Sequence, residues 1–305
     1  MRVLGTKDRS RVSESVYAGA RSMFICAGHV NWDIRLRLDR LPTADRESRI
    51  KGRRESGGGS AANVAVGLAE LGNESHFLGA VGGDERGERA VSRLETSGVE
   101  THVRVTERET TSKYILVDDD GDVALLGTDG ANECFGVEDI PSAVLDSATA
   151  LHLTAQPPET AAKLTKRVPE DCVVSFDPGR RAGEREYGDA LERVDLLFVT
   201  ESEAEAIRGD VPATVIKRGA EGAVWSGPEG TVESAGIDIG TPVDTTGAGD
   251  AFAAGFLSVW VENRDPSRAL AVGNACGALA ACRNGPDANL SWERIGEMID
   301  DPTDF

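Results

Sequence analysis

Between Asp244 and Phe252 the chain reads Asp-Thr-Thr-Gly-Ala-Gly-Asp-Ala-Phe, followed by an apolar run, Ala251 to Val261, long enough for a buried helix. The first N–H groups of a helix lack intrahelical acceptors, and the helix dipole adds partial positive charge, so an anion is stabilised there. Gly247 and Gly249 leave no Cβ between the backbone and that anion. A carboxylate in the first turn, Asp250, repels phosphate and would weaken a simple cradle. It makes sense as a base that takes the proton from a hydroxyl attacking the phosphate. Asp250 is therefore the candidate base, and Gly247, Ala248 and Gly249 supply the candidate anion-binding N–H groups.

Two other glycine-loop chemistries are disfavoured. A P-loop needs a Lys after its glycines, and a dinucleotide fingerprint needs a small residue where Phe252 stands. Gly57, Gly59 and Ala62 do match GxGxxA, but the polar run Lys51 to Ser56 before them is not a buried Rossmann strand. A glycine-rich loop with a helix cap is the plain alternative for the stretch at Gly247.

Elements must position these groups. The segment Val232 to Val243, interrupted by Gly236 and Gly240, is β-like and predicts a strand, a glycine turn and a helix in succession. Earlier, Met23 to Cys26 reads as a strand, and Ile34, Leu36 and Leu38 alternate with arginines as one face of a half-exposed strand. A polar strand over about Arg46 to Glu55 returns beside it, and Ser112 to Val117 and Asp122 to Leu126 flank the hairpin turn Asp118-Asp119-Asp120-Gly121. These strands, from about 34–56 and 110–128, predict a small lid sheet. Val64, Ala65, Leu68, Ala69 and Leu71 repeat with helical spacing, and His76 to Val81 reads as a strand before a helix ending near Gly98. Beyond residue 150 strands and helices alternate, which predicts an α/β fold: a mostly parallel sheet with helices on both faces. Residues 1–22 are polar and aperiodic and read as a flexible extension, which leaves 23–305 as the folded domain.

The 305 residues carry 52 acidic and 33 basic side chains, so binding to nucleic acid or an anionic membrane through bulk charge is disfavoured. Lys occurs only at 7, 51, 113, 163, 166 and 217, and an acidic, Lys-poor surface is the composition of a halophile's cytoplasmic protein. Five cysteines without a CxxC pair and four scattered histidines indicate neither a disulfide framework nor a zinc site. No apolar run has the length of a membrane span.

The string at Asp244 to Phe252, together with Gly57 to Gly72 (GGGSAANVAVGLAELG) in the right order, resembles the two signatures of the ribokinase-like, or phosphofructokinase-B, family of sugar and nucleoside kinases. The resemblance runs from about Met23 to the end of the chain. It implies a ribokinase-like fold, ATP and magnesium as cofactors, and in-line phosphoryl transfer to a primary hydroxyl. It places Asn31, Asp33, Gly58, Gly59 and Asn63 on sugar hydroxyls, and Gln156 where ribokinases often carry Glu. Gly130-Ala131-Asn132 matches the string that closes the lid. Glu203 stands in the magnesium motif, with Thr200 replacing the usual Asn. Lys217, Gly219, Gly222 and Asn274 match the ATP side, and Asp244 with Gly285 matches a monovalent-cation site, which would suit potassium.

The lid stretch Ile34 to Ser56 holds no aromatic residue but has Arg35, Arg37, Arg40, Arg46, Arg49, Lys51, Arg53 and Arg54. A nucleoside base favours an aromatic partner, and a second phosphate favours Arg. The expectation leans to a pentose phosphate such as ribose 1-phosphate, with Arg49, Lys51, Arg53 or Arg54 as its phosphate ligand. A solvated charged face is the plain alternative. Ribokinase, nucleoside kinase, fructose-phosphate kinase and 2-keto-3-deoxygluconate kinase remain alternatives, as do a non-catalytic sugar-binding relative and a dinucleotide enzyme. The exposed edges of two half-polar hairpins predict a homodimer through the lid.

Overall fold

The computed structural model describes residues 22–283, 285 and 288–299. The expectation for the N-terminal extension therefore lies outside the described residues except at Ser22.

The first half of the chain contains β1 (Met23–Ala27), β2 (Asn31–Leu38), β3 (Ile50–Gly58), α1 (Ser60–Glu70), β4 (Glu74–Gly82), α2 (Glu85–Thr96), β5 (Glu100–Thr106), β6 (Ser112–Val117) and β7 (Val123–Gly127). The second alternates α3 (Ser142–Asp146), β8 (Ala150–Thr154), α4 (Pro158–Arg167), β9 (Val173–Asp177), α5 (Gly188–Leu191), β10 (Leu196–Thr200), α6 (Glu201–Ala206) and β11 (Ala213–Lys217). It closes with β12 (Ala223–Gly227), β13 (Gly230–Ser234), α7 (Ala248–Asn263), α8 (Pro266–Ala281) and α9 (Trp292–Met298).

Nine strands form the main sheet in the order β13-β12-β11-β10-β9-β8-β1-β4-β5, parallel except at β12, which runs antiparallel to both neighbours. Its interior strands read as near-continuous apolar runs because both faces are covered. Alternation divides them: Phe24, Cys26, Phe77 and Phe198 face one hydrophobic cluster with α1, α7 and α8, while Ile25, Leu78, Leu151 and Leu197 face the other with α4 and α5. β5 is the edge strand beside β4, and its polar sequence conceals it from a periodicity reading.

A second sheet has the order β3-β2-β6-β7. It begins only three residues after β1, so Asn31 opens β2 where the two sheets meet. Ile34 and Leu38 are buried on one of its faces, as alternation requires.

Two expectations are corrected. The strand in the second half of the lid hairpin starts at Ile50 and not near Arg46, after an irregular stretch in which Asp45 takes a positive φ of 60°. The strand expected over Val232 to Val243 ends at Ser234, so an irregular segment, not a strand, leads into α7. Gly236 packs against the Ala220 carbonyl, and the Val243 N–H donates to the Ala281 carbonyl at 2.8 Å, which draws this segment off the sheet and onto the end of α8. Among the described residues no helix is long and apolar enough to cross a membrane.

Candidate active site

Helix α7 starts where the sequence places it. Gly247 is its N-cap with a φ of 77°, a left-handed conformation that glycine adopts without a Cβ penalty. The Ala248 N–H turns back to the Thr245 carbonyl at 3.2 Å. The Gly247 and Gly249 N–H groups have no hydrogen-bond partner among the described residues, so of the three expected anion donors these two are open. The Lys217 ammonium lies 3.9 Å from where a Cβ on Gly249 would stand, which puts a full positive charge beside the open N–H groups.

Asp250 sits one turn along. Its Oδ2 accepts from Asn63 Nδ2 at 2.8 Å, and Asn63 Oδ1 accepts from Arg93 Nη2 at 3.3 Å. Helices α1, α2 and α7 therefore meet in one chain of hydrogen bonds ending on the candidate base. Burial pushes the Asp250 carboxyl up to about 6; the Asn63 bond and Lys217 oppose the rise, and the Asp177 carboxylate adds to it. A base with that affinity is ionised at neutral pH yet holds a proton better than a free aspartate. Asn63, expected on a sugar hydroxyl, has both ends of its amide committed to Asp250 and Arg93.

Asp177, at the end of β9, accepts from Lys217 Nζ at 2.5 Å. Burial disfavours the Lys217 charge, but Asp177, Glu203 and Asp250 together hold its pKa above the ordinary value. The capping box of α6 engages Thr200 and Glu203: Glu203 Oε2 accepts from the Thr200 N–H at 2.8 Å, and Thr200 Oγ1 accepts from the Glu203 N–H at 3.4 Å. Thr200 thus keeps the capping geometry in place of Asn. Gly219 and Gly222 bound the turn after β11, with φ of 59° and 95°. The Asn274 amide donates to the Ser234 and Ala235 carbonyls at 3.2 and 3.0 Å, tying α8 to the end of β13.

On the lid side, Asn31, Asp33 and Arg35 alternate along one face of β2, opposite Gly58, Ser56 and Arg54 of β3. A Cβ on Gly58 would stand 2.2 Å from Asp33 Oδ2, so only glycine admits the Asp33 carboxylate here. Asn31 accepts from Asn132 Nδ2 at 2.5 Å, which connects the expected lid-closing string to the site. Asn31 Nδ2 and Asp33 Oδ1 are buried without a partner among the described residues. Two such atoms on one strand face are what adjacent sugar hydroxyls would satisfy. Burial pushes Asp33 above the ordinary carboxylate range, while Lys113 and Arg93 pull it down. Gln156, just past β8, donates to the Thr154 carbonyl at 2.8 Å, and its Oε1 is buried without a partner among the described residues.

Arg35 spans the cleft and forms an ion pair with buried Asp244. The remaining capacity of that carboxylate is taken by the Thr246 N–H at 3.0 Å and the Gly285 N–H at 3.2 Å. Burial disfavours the Asp244 charge, but the Arg35 and Thr246 bonds hold its pKa below the usual range. The monovalent cation expected at Asp244 and Gly285 does not fit this arrangement, because a guanidinium already neutralises the carboxylate. A narrow pocket beside this pair is lined by Asp33, Arg35, Arg54 and Ser56, and Arg54 and Ser56 also line a cleft of about 620 Å³ between β3 and α2. Of the arginines and lysine expected to hold a phosphate, Lys51 pairs with Asp119 and Arg53 with Glu55. Arg49 lies one residue before β3 and is exposed. Arg54 alone of the four lines the narrow pocket.

Three contributors were not identified from sequence. Asp177 carried only the signal of an aspartate ending a parallel strand, Arg93 looked like one more helix-surface arginine, and Arg35 was read only as part of the arginine-rich stretch.

This site lies at the carboxyl ends of parallel strands, with the second sheet beside it and a carboxylate in the first turn of a helix. That is the architecture of a kinase acting on a small hydroxyl compound. Residues 21–293 match the model of the pfkB family carbohydrate kinases, and the chain belongs to that family. It is 48% identical to an ATP-dependent ribose-1-phosphate kinase of Halopiger xanaduensis over 92% of this chain and 99% of that protein. It is also similar to a nucleoside kinase of Methanocaldococcus jannaschii, at 26% identity over 92% of this chain and 99% of that one, and the structures superpose with a TM-score of 0.75. The ribokinase of Thermotoga maritima shares the fold with a TM-score of 0.81, at 24% identity over 91% of this chain and 99% of that one.

Proposed function

We propose that this carbohydrate kinase transfers the γ-phosphoryl group of ATP to the primary hydroxyl of ribose 1-phosphate, giving ribose 1,5-bisphosphate. The observation that carries the reading is the inner face of the lid, where Asp33 and the guanidinium groups of Arg35 and Arg54 share one pocket. A carboxylate that orders hydroxyls beside two arginines is suited to a sugar that already bears a phosphate. The 48% identity to a ribose-1-phosphate kinase supports the same substrate.

In this reading Asn31 and Asp33 orient the sugar hydroxyls, with Gly58, Gly59 and Gln156 shaping the pocket. Asp250 accepts the proton of the attacking hydroxyl, and Asn63 and Arg93 hold it in position. The Gly247 and Gly249 N–H groups, with Lys217, stabilise the charge on the transferred phosphoryl group. Gly219, Gly222 and Asn274 form the turn and helix beside which ATP would lie. Magnesium would be positioned through water on Glu203, whose Oε1 has no hydrogen-bond partner among the described residues, and it supplies charge neutralisation to the phosphates. No step runs through potassium.

The test is ATP consumption, in concentrated salt, with ribose 1-phosphate, ribose, nucleosides, fructose phosphates and 2-keto-3-deoxygluconate as acceptors. Ribose 1-phosphate is expected to give the highest kcat/KM; a higher value with a nucleoside or free sugar overturns the substrate.

The acidic, Lys-poor composition supports a cytoplasmic enzyme of a salt-rich cell. A homodimer through the lid is supported by Ile50, Val123, Leu125 and Leu126, which leave large apolar side chains exposed on that sheet. Light scattering is expected to give twice the chain mass; a fully active monomer overturns the dimer.

A further inference from the structure

The edge strand pair β4 and β5 repeats one short pattern: Glu74-Ser75-His76 on β4 and Glu100-Thr101-His102 on β5. The strands are parallel and His76 is in register with Glu100, so period-two alternation puts both glutamates and both histidines on the same face. His76 Nδ1 and His102 Nε2 are 3.1 Å apart, and the rings are stacked with centroids 5.4 Å apart. Glu100 reaches to 3.9 Å of each of these nitrogens. The three donors lie within 4.8 Å of one another.

Glu74 determines which nitrogen of His76 is available. Its Oε1 lies 3.2 Å from His76 Nε2, so it accepts the Nε2–H and leaves the Nδ1 lone pair directed at His102 and Glu100. A carboxylate fixing the tautomer of a ligating histidine is the usual support of a metal ligand. An ion bound by two imidazoles at about 2.0–2.1 Å in tetrahedral geometry separates their nitrogens by about 3.3 Å, close to the spacing present. His76 is buried and His102 nearly so, while Glu100 is exposed and free to swing inward.

We propose that His76, His102 and Glu100 form a binding site for a divalent transition-metal ion of the zinc type, with water as fourth ligand and Glu74 as the orienting carboxylate. In the metal-free state His102 donates its Nε2–H to His76 Nδ1. On binding, His102 takes the Nδ1–H tautomer, both facing lone pairs go to the metal, and no net proton is lost from the pair. The site cross-links the outermost strand to its neighbour. Glu74 is in register with Met23, the first residue of β1, whereas Asn31 and Asp33 follow the carboxyl end of β1. The metal therefore sits at the opposite end of the sheet from the phosphoryl-transfer site and stabilises without taking part in the reaction.

The experiment titrates the EDTA-treated full chain with Co²⁺ and Zn²⁺, following Co²⁺ visible absorption, heat of binding and melting temperature. One ion per chain and a raised melting temperature are expected, because a ligand of the native state stabilises it. His76→Ala and His102→Ala are expected to abolish binding. Glu74→Gln is expected to weaken it about 10- to 100-fold, the effect of losing a supporting carboxylate. Cys282→Ser, which removes an exposed thiol, is expected to change nothing. Because a buried-site variant can fail to fold, Glu100→Gln at the exposed position provides a second measurement, and it is expected to lower affinity while the metal-free melting temperature stays that of the parent. Failure to bind one ion per chain, or binding unchanged in the His102 and Glu100 variants, overturns the site.

Discussion

The two walls of the active-site cleft are held by different physics. On the core wall, Arg93, Asn63 and Asp250 form one hydrogen-bonded chain across α2, α1 and α7, and Lys217 pairs with Asp177 between β11 and β9. On the lid wall, several cations pair with carboxylates of the same small sheet or its turns, as Lys51 does with Asp119 and Arg53 with Glu55, while Arg35 reaches across to the core at Asp244. Bonds that join separate elements of the core fix a side chain in one place, as a reacting group requires. Exposed ion pairs are individually weak and exchange partners readily, which suits a surface that must receive a charged substrate. In the proposed reading the core wall carries the chemistry and the lid wall the specificity.

Asp250→Asn tests the core wall most severely. It is expected to lower kcat by about 10² to 10⁴, since the amide cannot accept the proton. Steady-state kinetics at saturating ATP and sugar checks this, and near-normal turnover would remove the division between the walls. The same variant has a stability signature. Asp250 is raised from 3.8 to about 6 in the fold, so its contribution is fully present below pH 3.8 and is lost as the pH rises through about 6. Above that pH the ionised, partly buried carboxylate weakens the fold, and Asp250→Asn is expected to melt at a higher temperature than the parent, with the difference vanishing in acid.

The lid wall should respond in a substrate-selective way. Arg54→Ala and Arg35→Ala are each expected to raise the KM for ribose 1-phosphate about ten- to a hundredfold, the loss of one charge-assisted contact of roughly 1.5–3 kcal/mol. The rate with unphosphorylated ribose is expected to fall less for Arg54→Ala, since Arg54 has no core partner among the described residues. Arg53→Ala, on the opposite strand face, serves as the control and is expected to leave KM unchanged. Equal sensitivity of Arg53 and Arg54 would mean that the arginine-rich stretch acts only as a charged surface.

Two solution variables sharpen the contrast further. The kcat/KM profile is expected to fall about tenfold per pH unit below pH 6, as Asp250 takes up its proton. An acid limb unchanged in its midpoint by Asn63→Ala would separate the base from its network. The smallest effect is expected from exchanging potassium for tetramethylammonium at constant ionic strength. With Arg35 on Asp244 the rate should hold, and a loss confined to potassium removal would show that the guanidinium leaves Asp244 during turnover.

Contiguous stretches were the legible part of this molecule. Asp244 to Phe252 disclosed the helix N-terminus, two of the three expected open N–H groups and the place of the candidate base, because each arises within a few residues and depends on local backbone geometry. Periodicity likewise disclosed the parallel sheet and the lid strands, since burial on both faces or on one imprints itself on the apolar pattern. It did not disclose β5, whose edge position leaves it polar, or the irregular approach to Gly247, where the backbone bonds to the end of α8 and not to a strand. The contacts between distant segments were decided only by the fold. Arg35 meets Asp244 across 209 positions and Asn63 meets Asp250 across 187, separations over which no local pattern carries information. His76 and His102 looked scattered for the same reason. Strand pairing, with its strict register and two-residue period, is what brings them to one face.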